Sequence, residues 1–185
     1  MIGAKVYATV GSTEKVQYLM ETFGFSRGDI FNSRDESFLP DLMRETQGRG
    51  VDIVLNSLSG ELLHASWRCV APRGKMIEIG RRDFIGRAQL SMDLFEGNRT
   101  FIGVNLASLS DLYQELLTET IALYAKGCLQ PISPVHSFDA ENVEEAFRFM
   151  QKGQHIGKIV LTMPDACNQV SDAVLPTKLT KQPLR

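Results

Sequence analysis

Short β-branched runs alternate with amphipathic helical stripes along most of this sequence, and most runs close on a small or polar residue. Residues 4–10 carry Val6, Tyr7, Thr9 and Val10 and read as a strand, broken by Gly11-Ser12-Thr13. Val16, Leu19, Met20 and Phe23 then recur at spacings of three and four, which predicts a helix over 13–23 with Gly24 as its C-cap. Residues 29–32 read as a short strand, and Phe38, Leu39, Leu42 and Met43 as a second helical stripe. Asp52-Ile53-Val54-Leu55 is almost purely apolar, the pattern of a strand buried on both faces of a parallel sheet. Helix is predicted over 60–71, turn at Pro72-Arg73-Gly74, and strand over 75–79. The stretch 81–99 reads as polar and irregular. Strands at 100–105, 135–138 and 158–162 are separated by helices at 110–126 and 141–151. The inward residues of the last helix are expected to be Val143, Ala146, Phe147 and Met150.

Alternation of this kind predicts an α/β domain with a mostly parallel sheet and right-handed crossovers. After Met163 the composition turns polar and Pro-containing, so residues 1–163 are expected to form the domain and 164–185 a linker or disordered tail. The 20 basic and 22 acidic residues give a net charge of −2, which offers no electrostatic footprint for nucleic acid or an acidic membrane. No stretch approaches the roughly 18 apolar residues of a membrane span, and the N-terminus lacks the pattern of a signal peptide. Cys69, Cys128 and Cys167 have no paired spacing. They predict a reduced, cytoplasmic setting and no metal site.

In open parallel sheets ligands bind at the carboxyl ends of the strands. Five segments lie there. Ser12, Thr13 and Lys15 follow the first strand with no acid directly at its end, which leans toward a 2′-phosphate and so toward NADP; a helix cap beside a solvated lysine accounts for them equally. Asn56-Ser57-Leu58-Ser59-Gly60 offers amides and hydroxyls to a cofactor, while Ser59 by itself would cap the next helix. Backbone N–H groups at that helix start can also take an anion. Gly80 permits close approach to a flat ligand, and Arg81 suits phosphate or an oxyanion, or else an exposed turn. Phe101 and Gly103 could bracket a nicotinamide ring or simply build a core strand. His155 and Lys158 flank the start of the last strand, where a solvated loop is the favoured reading. No arrangement for nucleophilic catalysis stands out.

Taken in order, these segments resemble one family. They are Ala8-Thr9-Val10-Gly11-Ser12 with Lys15, Gly50-Val51-Asp52-Ile53-Val54-Leu55-Asn56-Ser57-Leu58-Ser59-Gly60-Glu61, Gly80-Arg81-Arg82-Asp83, Asn98-Arg99-Thr100-Phe101 and His155-Ile156-Gly157-Lys158. The sequence resembles the enoyl reductase domain of a polyketide synthase, most of all the highly reducing fungal type. That family sits on the zinc-free, quinone-reductase-like branch of the medium-chain dehydrogenase/reductase superfamily. The resemblance spans about residues 3–163 and implies a Rossmann-type parallel sheet flanked by helices. It implies reduction of the α,β double bond of an enoyl thioester on an acyl carrier protein, with NADPH as hydride donor. It also implies other synthase domains as partners and a dimer as the candidate assembly.

By position, the resemblance implies that Ser12 and Lys15 meet the adenosine 2′-phosphate and that Asn56 and Ser57 lie beside the nicotinamide ribose. It puts Gly80 against the cofactor, Phe101 and Val104 near the carboxamide, and Lys158 by the cleft. Arg81 and Asn105 stand as the catalytic candidates. Relatives often carry Lys at the first of these positions and an acid near the second. Arginine stays protonated and is a poor acid, so Arg81 is expected to orient substrate or stabilise enolate charge. The first Rossmann strand, its Gly-rich turn and the substrate domain have no counterpart in the sequence. A truncated, inactive and poorly soluble fragment is therefore expected. Two other readings stay open: a non-catalytic remnant within a synthase, and a free quinone or alkenal reductase.

Overall fold

Strand β1 (Ala8–Val10) pairs in parallel with β2 (Ile30–Asn32), Thr9 opposite Phe31. Between them runs α1 (Thr13–Phe23), started by Ser12, whose Oγ accepts the Lys15 N–H at 3.4 Å. Gly24 ends α1 in the left-handed region at φ 70°, where its N–H bonds back to Leu19 and Met20 carbonyls, as a helix-stopping glycine does. These elements belong to a computed structural model that describes residues 3–164; the expected tail, apart from its first residue, lies outside the described residues. The chain divides into two compact units, Met1–Gln130 and Pro131–Arg185.

The first unit continues with α2 (Phe38–Glu45), β3 (Val51–Asn56), α3 (Glu61–Arg68), β4 (Val70–Glu78), α4 (Arg82–Ile85), β5 (Thr100–Gly103) and α5 (Ser110–Ala125). A three-stranded parallel sheet has the order β3-β4-β5. Two clusters hold it. Phe38 and Leu42 of α2 pack with Ala65 and Cys69, and Tyr7, Phe31 and Val51 lie against them. Leu63, Trp67, Val70 and Met76 form the other, with Phe95 and Phe101 packed on it. Trp67 is buried, its ring centroid 5.0 Å from Phe95 and 5.9 Å from Phe101. Val54 contributes to both clusters, so the two cores meet at β3.

In the second unit β6 (Val135–Asp139) pairs in parallel with β7 (Lys158–Thr162), and α6 (Val143–Gln151) packs on both. Phe149 sits against His136 at 5.1 Å and Phe138 at 5.8 Å between ring centroids.

Several boundaries differ from those the sequence predicts. Strand β4 starts at Val70, not at 75, and the predicted turn at 72–74 lies inside it. The turn survives as an irregularity: pairing shifts between Val51 and Ile53, Arg73 takes φ 65°, and buried Gly74 packs against the Asp52 carbonyl. The flanking residues pair on both sides of the bulge, so the ladder absorbs it. The stretch 81–99 is ordered by α4 and by a 3₁₀ turn at Met92–Gly97. Arg99 anchors that turn, its Nε donating to the Val70 carbonyl at 2.7 Å and its Nη1 to the Leu94 carbonyl at 2.8 Å.

Burial departs further. Strand β3 is not covered on both faces, since Ile53 is 59% and Leu55 68% exposed. Among the described residues β1 pairs with β2 alone and β3 with β4 alone. An open cleft of about 980 Å³ separates them, lined by Val6, Tyr7, Thr9, Ile53 and Leu55 among others. On α6, Ala146 is buried while Val143, Phe147 and Met150 are exposed. Periodicity marks an apolar face, but another element must be present to cover it.

Candidate functional site

The carboxyl ends of β3, β4 and β5 finish side by side, because parallel pairing sets Asn56 opposite Glu78 and Glu78 opposite Gly103. The loops that leave them share one edge of the sheet. Val104 N–H donates to the Glu78 carbonyl at 2.8 Å and Ile79 N–H to the Asn56 carbonyl at 2.9 Å, extending the ladder one residue past each strand.

A buried polar knot ties the first two loops. Asn56 and Glu78 are each 3% exposed. Asn56 Nδ2 donates to Glu78 Oε2 and, at 2.8 Å, to the Leu58 carbonyl. Gly80 N–H donates to Glu78 Oε1 at 2.5 Å. Burial pushes the Glu78 carboxyl above the ordinary carboxylate range; the Asn56 and Gly80 donors pull it back, and the nearby Asp83 charge adds to the rise. A methyl group on Gly80 would stand 2.6 Å from Glu78 Oε1 and 3.3 Å from the Ser57 carbonyl, so the glycine is needed for the two loops to touch.

A second tie runs outside the first. Asp83 accepts the Gly60 N–H, and Arg82 Nη1 reaches Ser59 Oγ at 3.4 Å. Gly60, at φ 63°, is the N-cap of α3, and no side chain within the loop caps it, so Ser59 does not play the expected part. The helix-start amide expected to be open to an anion is already taken by Asp83.

The other predicted residues are distributed as follows. Arg81 is exposed and opens α4 as its N-cap residue. Asn105 is exposed, and its carbonyl accepts from Ser108 N–H and Oγ. Phe101 faces the core, edge-on to Trp67 and to Phe84 at 6.4 Å. Phe84 in turn covers Gly103, where an added methyl would meet it at 2.7 Å. Ser12 and Lys15 are half-buried at the carboxyl end of β1. Lys158 is exposed on β7 in the second unit, its N–H bonded to the Pro134 carbonyl at 2.9 Å.

Residues 28–161 match the family model of the zinc-binding dehydrogenases. The nucleotide-binding subdomain of the enoylreductase domain of PpsC from Mycobacterium tuberculosis is 33% identical; the match covers 70% of this chain and 73% of that one, with a TM-score of 0.63. The chain belongs to the enoyl reductase domains of polyketide synthases. This enoyl reductase chain is also similar to the JamJ enoyl reductase, at 31% identity and a TM-score of 0.75, over 88% of this chain and 48% of that one. Among fungal proteins it is 57% identical over 184 residues to the highly reducing polyketide synthase gloL of Glarea lozoyensis. That match covers 99% of this chain and 7% of the synthase, and the highly reducing polyketide synthase FUM1 of Gibberella moniliformis, 59% identical, is likewise spanned over 7% of its length.

Members of this family generally bind a nicotinamide cofactor, and the strand-end edge of the enoyl reductase chain suits one, because the carboxyl ends of β3, β4 and β5 finish side by side there, with Gly80 packed closely enough on Ser57 and Glu78 to draw two of their loops together. The family's name carries zinc; among the described residues no three His, Cys, Asp or Glu side chains come together. Cys69 is buried, and burial pushes its thiol up to about 12.

Three residues in the enoyl reductase site were missed by sequence reasoning. Arg34, in the loop after β2, donates from Nε to the Gly11 carbonyl at 3.4 Å, and so brings a cation beside Ser12. The loop after the second strand was the signal. Glu78 is an acid in an otherwise apolar run, Met76-Ile77-Glu78-Ile79, a pattern that marks a buried polar partner. Asp83 gave no signal, since its partner lies 23 residues away.

Proposed function

We propose that, within its synthase, this domain uses NADPH to reduce the α,β double bond of an enoyl chain held as a thioester on an acyl carrier protein. The observation that carries the reading is the joined edge at Asn56–Ser57, Gly80 and Val104, in a chain that belongs to this enoyl reductase family. Ser12, Lys15 and Arg34 would hold the adenosine 2′-phosphate; Asn56 and Ser57 the nicotinamide ribose; Gly80, Phe101 and Val104 the nicotinamide end. The cofactor, when bound, supplies the hydride. Arg81 donates hydrogen bonds toward the thioester carbonyl and stabilises negative charge as the enolate develops. Its guanidinium holds its proton too tightly to release it, so the α-carbon proton comes from another group. Asn105 orients as a neutral donor and acceptor. The other synthase domains deliver and receive the acyl chain, and the intact enzyme works as a dimer.

The full-length synthase tests this with a crotonyl thioester and either NADPH or NADH. Turnover with NADPH is expected, with Lys15→Ala and Arg34→Ala each raising the KM for NADPH while leaving that for NADH unchanged. Absence of turnover in the unaltered synthase would favour a non-catalytic module, the reading that Arg81 and Asn105 support by lacking a releasable proton.

A further inference from the structure

We propose that Glu78 is a positioning residue for the nicotinamide cofactor, its buried carboxylate locking the loop after β3 to the loop after β4. This role rests on the cofactor reading above. The carboxylate bridges the loops through both oxygens: Oε1 takes Gly80 N–H at 2.5 Å, and Oε2 takes Asn56 Nδ2, which also holds the Leu58 carbonyl at 2.8 Å. Glu78, through the Asn56 amide, thus links the backbone at Gly80 with that at Leu58.

A carboxylate is a costly way to fill this space. Glu78 is 3% exposed and makes no ion pair among the described residues, so no cation offsets its desolvation. A methionine would occupy the same volume without that cost. What a carboxylate supplies and no apolar residue can is a pair of acceptors. Two donors converge on it, and a glutamine would turn one acceptor into a third donor facing Asn56 or Gly80. The close packing of Gly80 on the Ser57 carbonyl makes the spacing of the two loops depend on that pair of bonds. Arg81, Arg82 and Asp83 follow directly, so the direction in which α4 leaves the sheet is set at the same point.

The test uses the full-length synthase carrying Glu78→Gln, Glu78→Met or Glu78→Asp. NADPH affinity is measured by cofactor fluorescence, and hydrogen exchange is followed over residues 56–60, 79–83 and the core stretch 63–70. Loss of one charge-assisted bond corresponds to about tenfold weaker NADPH binding, and that loss is expected for Gln and Met. Faster exchange is expected over 56–60 and 79–83, with 63–70 unchanged. Asp retains both acceptors and is expected to recover part of the affinity. If Gln or Met folds and binds NADPH as the unaltered synthase does, the role is wrong. It is equally wrong if exchange over 63–70 rises along with the loops, since that is general loosening. Failure of the unaltered synthase to bind NADPH would instead sink the cofactor reading, and this role with it.

Discussion

The Asp83 carboxylate accepts the Gly60 N–H at 3.2 Å to Oδ1 and 3.1 Å to Oδ2, so an acid after β4 caps the helix that follows β3. The arrangement does for α3 what a capping-box acid does from within a helix, and it sets negative charge at the positive end of the helix dipole. Asp83→Asn keeps the shape and removes the charge. A loss of about 0.5–1 kcal/mol in unfolding free energy is expected, read by urea titration of the chain. An unchanged midpoint would mean solvent satisfies Gly60 equally well.

Glu78 predicts a pH dependence. Its folded carboxyl titrates above the ordinary range, chiefly through burial. The native state therefore keeps a proton that the unfolded chain has released. The stabilisation is complete below the ordinary carboxylate range and is lost as pH rises through the raised value. Unfolding free energy measured across that window should fall in the unaltered chain. In Glu78→Gln the fall should be absent.

Gly50 predicts a steric limit. It sits at φ 82°, and a methyl group added there would press on the Cys69 carbonyl and stand 3.2 Å from the Ala71 N–H nitrogen. Val51 N–H bonds that same Cys69 carbonyl at 2.9 Å, so retreat would break the start of the β3–β4 ladder. Gly50→Ala should cost about 1–3 kcal/mol, measured by thermal or urea unfolding. Gly24→Ala, with open space around it, should cost less than Gly50→Ala.

The cysteines predict selective chemistry. Cys69 is buried, with its thiol raised to about 12, while Cys128 is exposed. Thiolate is the reacting form. Iodoacetamide at mildly alkaline pH should label Cys128 and spare Cys69 until the chain is unfolded, as peptide mass mapping would detect. Early labelling of Cys69 would show that the α2–α3 core opens readily.

The local pattern of the sequence determined the elements and the fold class. Gly24 stops α1, Ser12 starts it, and the apolar run through Ile53 and Leu55 is a parallel strand, because caps, breakers and side-chain period act over a few residues. Family membership was legible too, in the strand-end motifs around Asn56-Ser57 and Gly80-Arg81. The tertiary structure alone decided which apolar faces are covered. Ile53, Leu55 and Phe147 follow the same pattern as buried residues and stand exposed, because burial depends on a neighbouring element and not on the residue's own segment. It also decided how the site is held together. Asn56 with Glu78, Gly60 with Asp83, and Gly11 with Arg34 lie 22 or 23 residues apart, and a spacing set by a whole crossover leaves no periodic trace in the sequence.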